Sequence, residues 1–98
     1  LHKTILKFIG DFRKQSKDLV SVFTEGYCFY FAVMLTARFP EAIIIYDNIM
    51  DHFYVKIGRR HYDITGEIQP SDKAVVWDQF TSDPLHRERI IRDVIHKL

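Results

Sequence analysis

The sequence predicts an α+β fold, with helices packed on a small antiparallel sheet and a nucleophile-type cysteine at the N-terminus of the central helix. Three observations predict it. Apolar residues recur at helical spacing towards both ends of the chain, short runs in the middle have strand character, and turn-forming residues set those runs close enough together for hairpins. The expected order is helix, helix, three strands, a candidate fourth strand and a closing helix.

From His2 to Gln15, Ile5, Leu6, Phe8, Ile9 and Phe12 follow the i, i+3, i+4, i+7 spacing of an amphipathic helix, and Lys7, Arg13, Lys14 and Lys17 form its solvated face. Gly10 costs that helix about 1 kcal/mol of propensity without interrupting the pattern. Ser16 to Thr24 is a connector whose Leu19, Val20, Val22 and Phe23 pack against something. Gly26 breaks the chain direction before a second helix. There Phe29, Phe31, Ala32, Val33, Leu35 and Phe39 are apolar nearly all round, as in a central helix, and Pro40 stops it.

Ala42 to Tyr46 is a β-branched run suited to a buried strand, ended by the turn chemistry of Asp47 and Asn48. His52 to Ile57 alternates, with Phe53, Val55 and Ile57 on one face and His52, Tyr54 and Lys56 on the other. Gly58-Arg59 makes a two-residue hairpin turn, and His61 to Thr65 returns as the next strand, ending at Gly66. Pro70, Ser71 and Asp72 open a polar loop before a candidate edge strand at Ala74 to Trp77. Ser82, Asp83 and Pro84 are a helix start, with Asp83 the N-cap candidate and Pro84 the first residue of the last helix. Its buried stripe is Leu85, Ile91, Val94, Ile95 and Leu98, and its solvated face Arg87, Glu88, Arg89, Arg92 and Lys97.

With 98 residues, the chain is expected to form one domain, 1–98. Hydrophobic content of 47% places it among packed globular proteins and excludes a disordered chain. A net charge of +1 with both signs interspersed argues against nucleic acid or an anionic membrane surface as partner. One cysteine excludes an internal disulfide framework and fits a reducing compartment. No apolar run approaches the roughly 20 residues of a membrane span, and Leu1 onwards lacks a signal-peptide layout, so the expected location is cytoplasmic. Cys28, His52 and His61 have no metal-ligand spacing, and neither a metal nor a cofactor is expected.

Cys28 stands where the second helix begins. Free backbone N–H groups and the positive end of the helix dipole there favour a thiolate, whereas a buried Cys28 acting as a small hydrophobe is the plainer alternative. Thiolate chemistry needs an imidazole to take the proton and a third group to orient that imidazole. With a Gly58-Arg59 turn, residue 57 pairs with 60, 56 with 61 and 54 with 63. His52 and Asp63 then share a face as diagonal neighbours, about 7–8 Å apart along the backbone. A one-residue change of loop length would put them on opposite faces. His61 is the competing base, but its place opposite Lys56 sets it near the turn. As alternatives, His52 is an ordinary turn histidine and Asp63 satisfies backbone groups at a strand end.

Gly26-x-Cys28-x-x-Phe31-Ala32 with Arg38 and Pro40, then His52-x-Tyr54-x-Lys56 and Tyr62-Asp63-Ile64-Thr65, resembles the nucleophile helix and the histidine and aspartate strands of transglutaminase-like cysteine enzymes. The wider papain-like superfamily shares that chemistry. The resemblance spans about 40 residues and implies a single transglutaminase-like domain with Cys28 as nucleophile, His52 as general base and acid, and Asp63 as the group orienting His52. It implies a small cysteine-dependent hydrolase or acyltransferase, a peptidase, amidase or transamidase acting on an amide of a protein or peptide substrate. Tyr54 stands where that family often has tryptophan, and no glutamine shortly precedes Cys28 to complete an oxyanion hole. The alternative is a non-catalytic binding or inhibitor protein that occupies a protein partner through exposed aromatic residues, with Tyr27, Tyr30, Tyr54 and Tyr62 as candidates.

Overall fold

Ile5 and Ile9, one helical turn apart and each 1% exposed, anchor the first helix, α1 (His2–Arg13), to the core. The structure, a computed structural model, describes residues 1–25, 27–80 and 83–96. Gly26, Ser82, Lys97 and Leu98, named above as a chain-direction break, a helix start and parts of the last helix, lie outside the described residues. The connector forms a helix of its own, α2 (Leu19–Glu25), which sets Phe23 against Phe12 and Phe31. Next comes α3 (Cys28–Arg38), burying Cys28, Phe31, Ala32 and Leu35. Tyr30 and Val33 remain exposed, so α3 is less fully covered than its composition suggests.

The strands are β1 (Ile43–Asp47), β2 (His52–Ile57), β3 (Arg60–Asp63), β4 (Gly66–Ile68) and β5 (Ala74–Val76). They form one antiparallel sheet in the order β4-β3-β2-β1-β5. The α+β class expected from the sequence is therefore present. The register foreseen for the hairpin holds, with Ile57 opposite Arg60, Lys56 opposite His61 and Val55 opposite Tyr62. Gly58 turns the hairpin at φ +64°, in the left-handed region that glycine enters without a Cβ penalty. One strand was not foreseen. The stretch expected to end at Gly66 stops at Asp63, and Gly66 at φ +115° starts β4.

Residues directly opposite one another in a ladder share a face. Tyr46, Phe53, Val55, Ile57 and Tyr62 therefore line the face that packs with Ile5, Ile9, Phe31 and Leu35 into the main core. Ile45, Asp47, His52, Tyr54 and Asp63 project from the other face. Ile45 and Tyr54 are buried there, apart from the main cluster. The chain from β4 to β5 runs from one sheet edge to the other, and Ser71 within it bonds to Asp47, so this connection covers that second face.

Beyond β5, a 3-10 turn (Trp77–Gln79) leads to α4 (Pro84–Ile90) and a π-helical turn over Ile91–Ile95. Asp83 caps α4 by accepting from the His86 backbone N–H at 3.0 Å, with Pro84 at the first helical position as expected. Two expectations about this helix are corrected. Leu85 is 80% exposed and lies off the buried stripe. Arg87, expected in solvent, is half-buried. Its Nη1 donates to the Trp77 and Phe80 carbonyls at 2.7 Å each, and its guanidinium lies 4.0 Å from the Trp77 ring centroid. Two loop carbonyls close by in space, invisible in helix periodicity, draw it inward.

No helix among the described residues is long and apolar enough to cross a membrane.

Candidate functional site

Cys28 is the first residue of α3, His52 the first of β2 and Asp63 the last of β3. Packing of α3 on β2 brings the helix start to the strand start, and the hairpin register brings Asp63 to the same end of the sheet. All three side chains are buried, with residue exposures of 6%, 8% and 7%. The structure thus assembles the three residues singled out in the sequence. His61 is not among them. It stands opposite Lys56 and packs edge-on against Tyr54, and burial and the Lys56 charge lower its pKa.

The Nε2–H of His52 donates to Asp63 Oδ2 at 2.9 Å. A carboxylate only accepts, so this contact places the proton of the neutral ring on Nε2 and leaves Nδ1 as the nitrogen able to exchange a proton. Asp63 is fixed in turn, because its Oδ1 accepts from the Thr65 backbone N–H at 2.7 Å and from the Thr65 hydroxyl. The hydrogen bond that reaches the Cys28 sulfur comes from the Phe53 backbone N–H at 3.5 Å, while His52 acts on the sulfur through its neighbouring ring.

These contacts set the titration of the cluster. Burial pushes the Cys28 thiol up, but the His52 ring and the Phe53 and Phe29 N–H groups outweigh it and leave the thiol below its ordinary pKa. Burial pushes His52 down, yet the Asp63 carboxylate and the Cys28 sulfur raise it to about 9. Burial pushes Asp63 up, and hydrogen bonds from His52 and Thr65 bring it below the usual carboxylate value. A thiolate beside an imidazolium, backed by a carboxylate, is the charge arrangement these directions favour. Among the described residues, no group of three or more His, Cys, Asp or Glu side chains is placed to hold a metal ion.

Sequence reasoning missed the network beside this cluster. Asp47, read only as the residue ending a strand, is fully buried and directly opposite His52 in the β1–β2 ladder. Its Oδ1 accepts from Ile49 N–H at 3.1 Å, Met50 N–H at 3.2 Å and Ser71 Oγ at 2.6 Å. Its Oδ2 accepts from Tyr54 Oη at 2.7 Å and Ser71 N–H at 3.0 Å. These bonds hold the Asp47 pKa at about 2 against the upward push of burial. Asp51, at φ +50° in the turn before His52, accepts from the Tyr46 hydroxyl and lies 3.7 Å from Arg89. The Asp-x-x-Met spacing of a side-chain-capped turn was the one available signal. Two of the tyrosines offered as an exposed binding surface are corrected: Tyr54 and Tyr62 are each 1% exposed, whereas Tyr27 and Tyr30 do face solvent.

No curated protein and no solved structure gives a significant match to this chain. A family model does match, and it is not that of the transglutaminase-like or papain-like enzymes. The resemblance to those enzymes is thereby overturned. With it falls the expected cysteine-dependent hydrolase or acyltransferase, whether peptidase, amidase or transamidase, working on amides through a catalytic triad. The alternative of a non-catalytic binding or inhibitor protein gains no support from the match. The matching model is that of the Phage YunG-like protein, it covers residues 5–90, and the chain belongs to this family.

Proposed function

We propose that Cys28, His52 and Asp63 form a thiol site, in which the sulfur is held as a thiolate against a protonated imidazole and reacts with small electrophiles. The observation that carries this reading is the engagement of His52 Nε2 by Asp63 at 2.9 Å, which leaves the other ring nitrogen for the proton of the sulfur. The lowered pKa of Cys28 and the raised pKa of His52 support it, because each charge stabilises the other. The proposal concerns ionisation and reactivity of the thiol and does not extend to amide cleavage or acyl transfer. A single cysteine left free favours a reducing compartment, and we place the protein in the cytoplasm on that ground.

Thiolate absorbance in the ultraviolet, taken as the difference from Cys28→Ser, reads ionisation without requiring access to the buried sulfur. The expected midpoint lies below the value of about 8.5 for a free cysteine and rises in His52→Ala. The rate of alkylation by iodoacetamide should follow the same midpoint. A midpoint at or above the free-cysteine value that ignores His52→Ala would sink the proposal.

A further inference from the structure

Tyr54 has no part in the cluster as described, yet it is one of the most deeply buried side chains on the second face of the sheet. Its ring lies 5.8 Å from the His52 ring at 44° and 5.8 Å from the His61 ring at 80°. Its hydroxyl donates to Asp47 Oδ2 at 2.7 Å. Asp47 itself is held by four further hydrogen bonds, two from the turn that leads into His52 and two from Ser71 in the connection crossing over the face. The Tyr54 ring is thus held at both ends, by its backbone in the centre of β2 and by a hydrogen bond to a carboxylate that is itself bonded on both oxygens.

His52 needs such a neighbour. It is the first residue of its strand, directly after a turn, and its hydrogen bond to Asp63 holds one edge of the ring, leaving the tilt about the Cβ–Cγ bond to be set by what packs beside it. A rigid wall beside the ring removes that freedom at no cost in charge. We propose that Tyr54 is a positioning residue for the thiol site: clamped at its hydroxyl by Asp47, it walls in the His52 ring and keeps the imidazole turned towards Asp63 and Cys28. The inference rests on the thiol-site reading above. Tyr54 acts through His52, and Asp47 acts through Tyr54 and the turn.

The test is a coupling measurement. Histidine-ring NMR titration, with His52 assigned by difference from His52→Gln, gives the His52 midpoint with and without Asp63→Asn in three backgrounds: wild type, Tyr54→Phe and Tyr54→Leu. A clamped wall predicts that Asp63→Asn lowers the His52 midpoint by about one unit or more, tenfold in proton affinity, in wild type, and by less in Tyr54→Phe, which keeps the ring but loses its hold on Asp47. In Tyr54→Leu the same change should produce less than half that shift, because a wandering ring is coupled weakly to residue 63 from the start. A shift in Tyr54→Leu equal to that of wild type overturns the proposal, as does no shift in wild type or a Tyr54→Phe shift as large as that of wild type. If Tyr54→Leu does not fold, Tyr54→Met, flexible but close in volume, is read by the same criterion. Failure of the thiol-site reading is distinguishable, since it appears in the Cys28 absorbance midpoint, whereas the His52–Asp63 coupling decides the role of Tyr54 alone.

Discussion

The His52 ring and the Asp63 carboxylate meet at 2.9 Å in a buried site, although they lie 11 residues apart on two strands joined by a two-residue turn. A hydrogen-bonded pair removed from water is sensitive to the loss of either member, because the survivor is left buried without its partner. Asp63→Asn should therefore lower the His52 pKa from about 9 and raise that of Cys28. It should also cost about 1–3 kcal/mol of stability. NMR titration, thiolate absorbance and urea unfolding measure the three effects.

The alkaline limb of the stability curve follows from His52. Its folded pKa is raised from 6.5 to about 9, so its contribution is complete below pH 6.5 and is lost as pH rises through about 9. The Cys28 sulfur is one cause of that raised value. Cys28→Ser should shift the loss to lower pH, and urea midpoints collected from pH 6 to 10 would show whether it does.

Asp47 governs the acid limb with the opposite sign. Its folded pKa is depressed from 3.8 to about 2, so its contribution is present above about pH 4 and fades as pH falls towards 2. Asp47→Ala should cost about 2–4 kcal/mol at neutral pH, since the Tyr54 hydroxyl, Ser71 and two turn N–H groups lose their acceptor. In Asp47→Asn the acid slope of the unfolding free energy between pH 4 and 2 should flatten relative to wild type. An unchanged slope would assign the acid limb to Asp63 and the other carboxylates.

Arg87 ties α4 to the 3-10 turn through two carbonyls and the Trp77 face. Arg87→Ala should destabilise the fold by about 2–3 kcal/mol, and Arg87→Lys should recover less than half of that, because an ammonium cannot reproduce the planar fork over the ring. Thermal unfolding of the two variants side by side settles the comparison.

Two glycines should respond to alanine with opposite signs. A Cβ on Gly58 meets no atom within 4 Å, but φ +64° makes the backbone strained, and Gly58→Ala should cost about 1–2 kcal/mol. Gly10, in the interior of α1 with nothing within 4 Å of its Cβ position, has no such conflict, and Gly10→Ala should stabilise by about 0.5–1 kcal/mol. Chemical denaturation of both variants checks the pair.

The parts of this protein legible in its sequence are those decided by neighbours close along the chain. The stripe at Ile5 and Ile9, the stop after Arg38, the Asp83-Pro84 helix start and the Gly58-Arg59 hairpin all depend on contacts within one or two turns of chain. Because a two-residue turn dictates pairing, the shared face of His52 and Asp63 could be read as well. The burial of Tyr54 could not. It depends on Ser71 reaching Asp47 from 24 residues away, and no local pattern signals that the β4–β5 connection crosses over the face. Arg87 was misplaced for the same reason, since its acceptors belong to a loop 7 to 10 residues upstream.

The sequence by itself determined the α+β class, the hairpin register and the shared face of His52 and Asp63, because periodicity and turn chemistry are local properties of the chain. Only the tertiary structure decided that the start of α3 meets the start of β2, and that a buried Asp47 bonds the Tyr54 hydroxyl beside His52. Those contacts join segments distant in sequence, and they are selected by burial of apolar surface and by the requirement that every buried polar group find a partner.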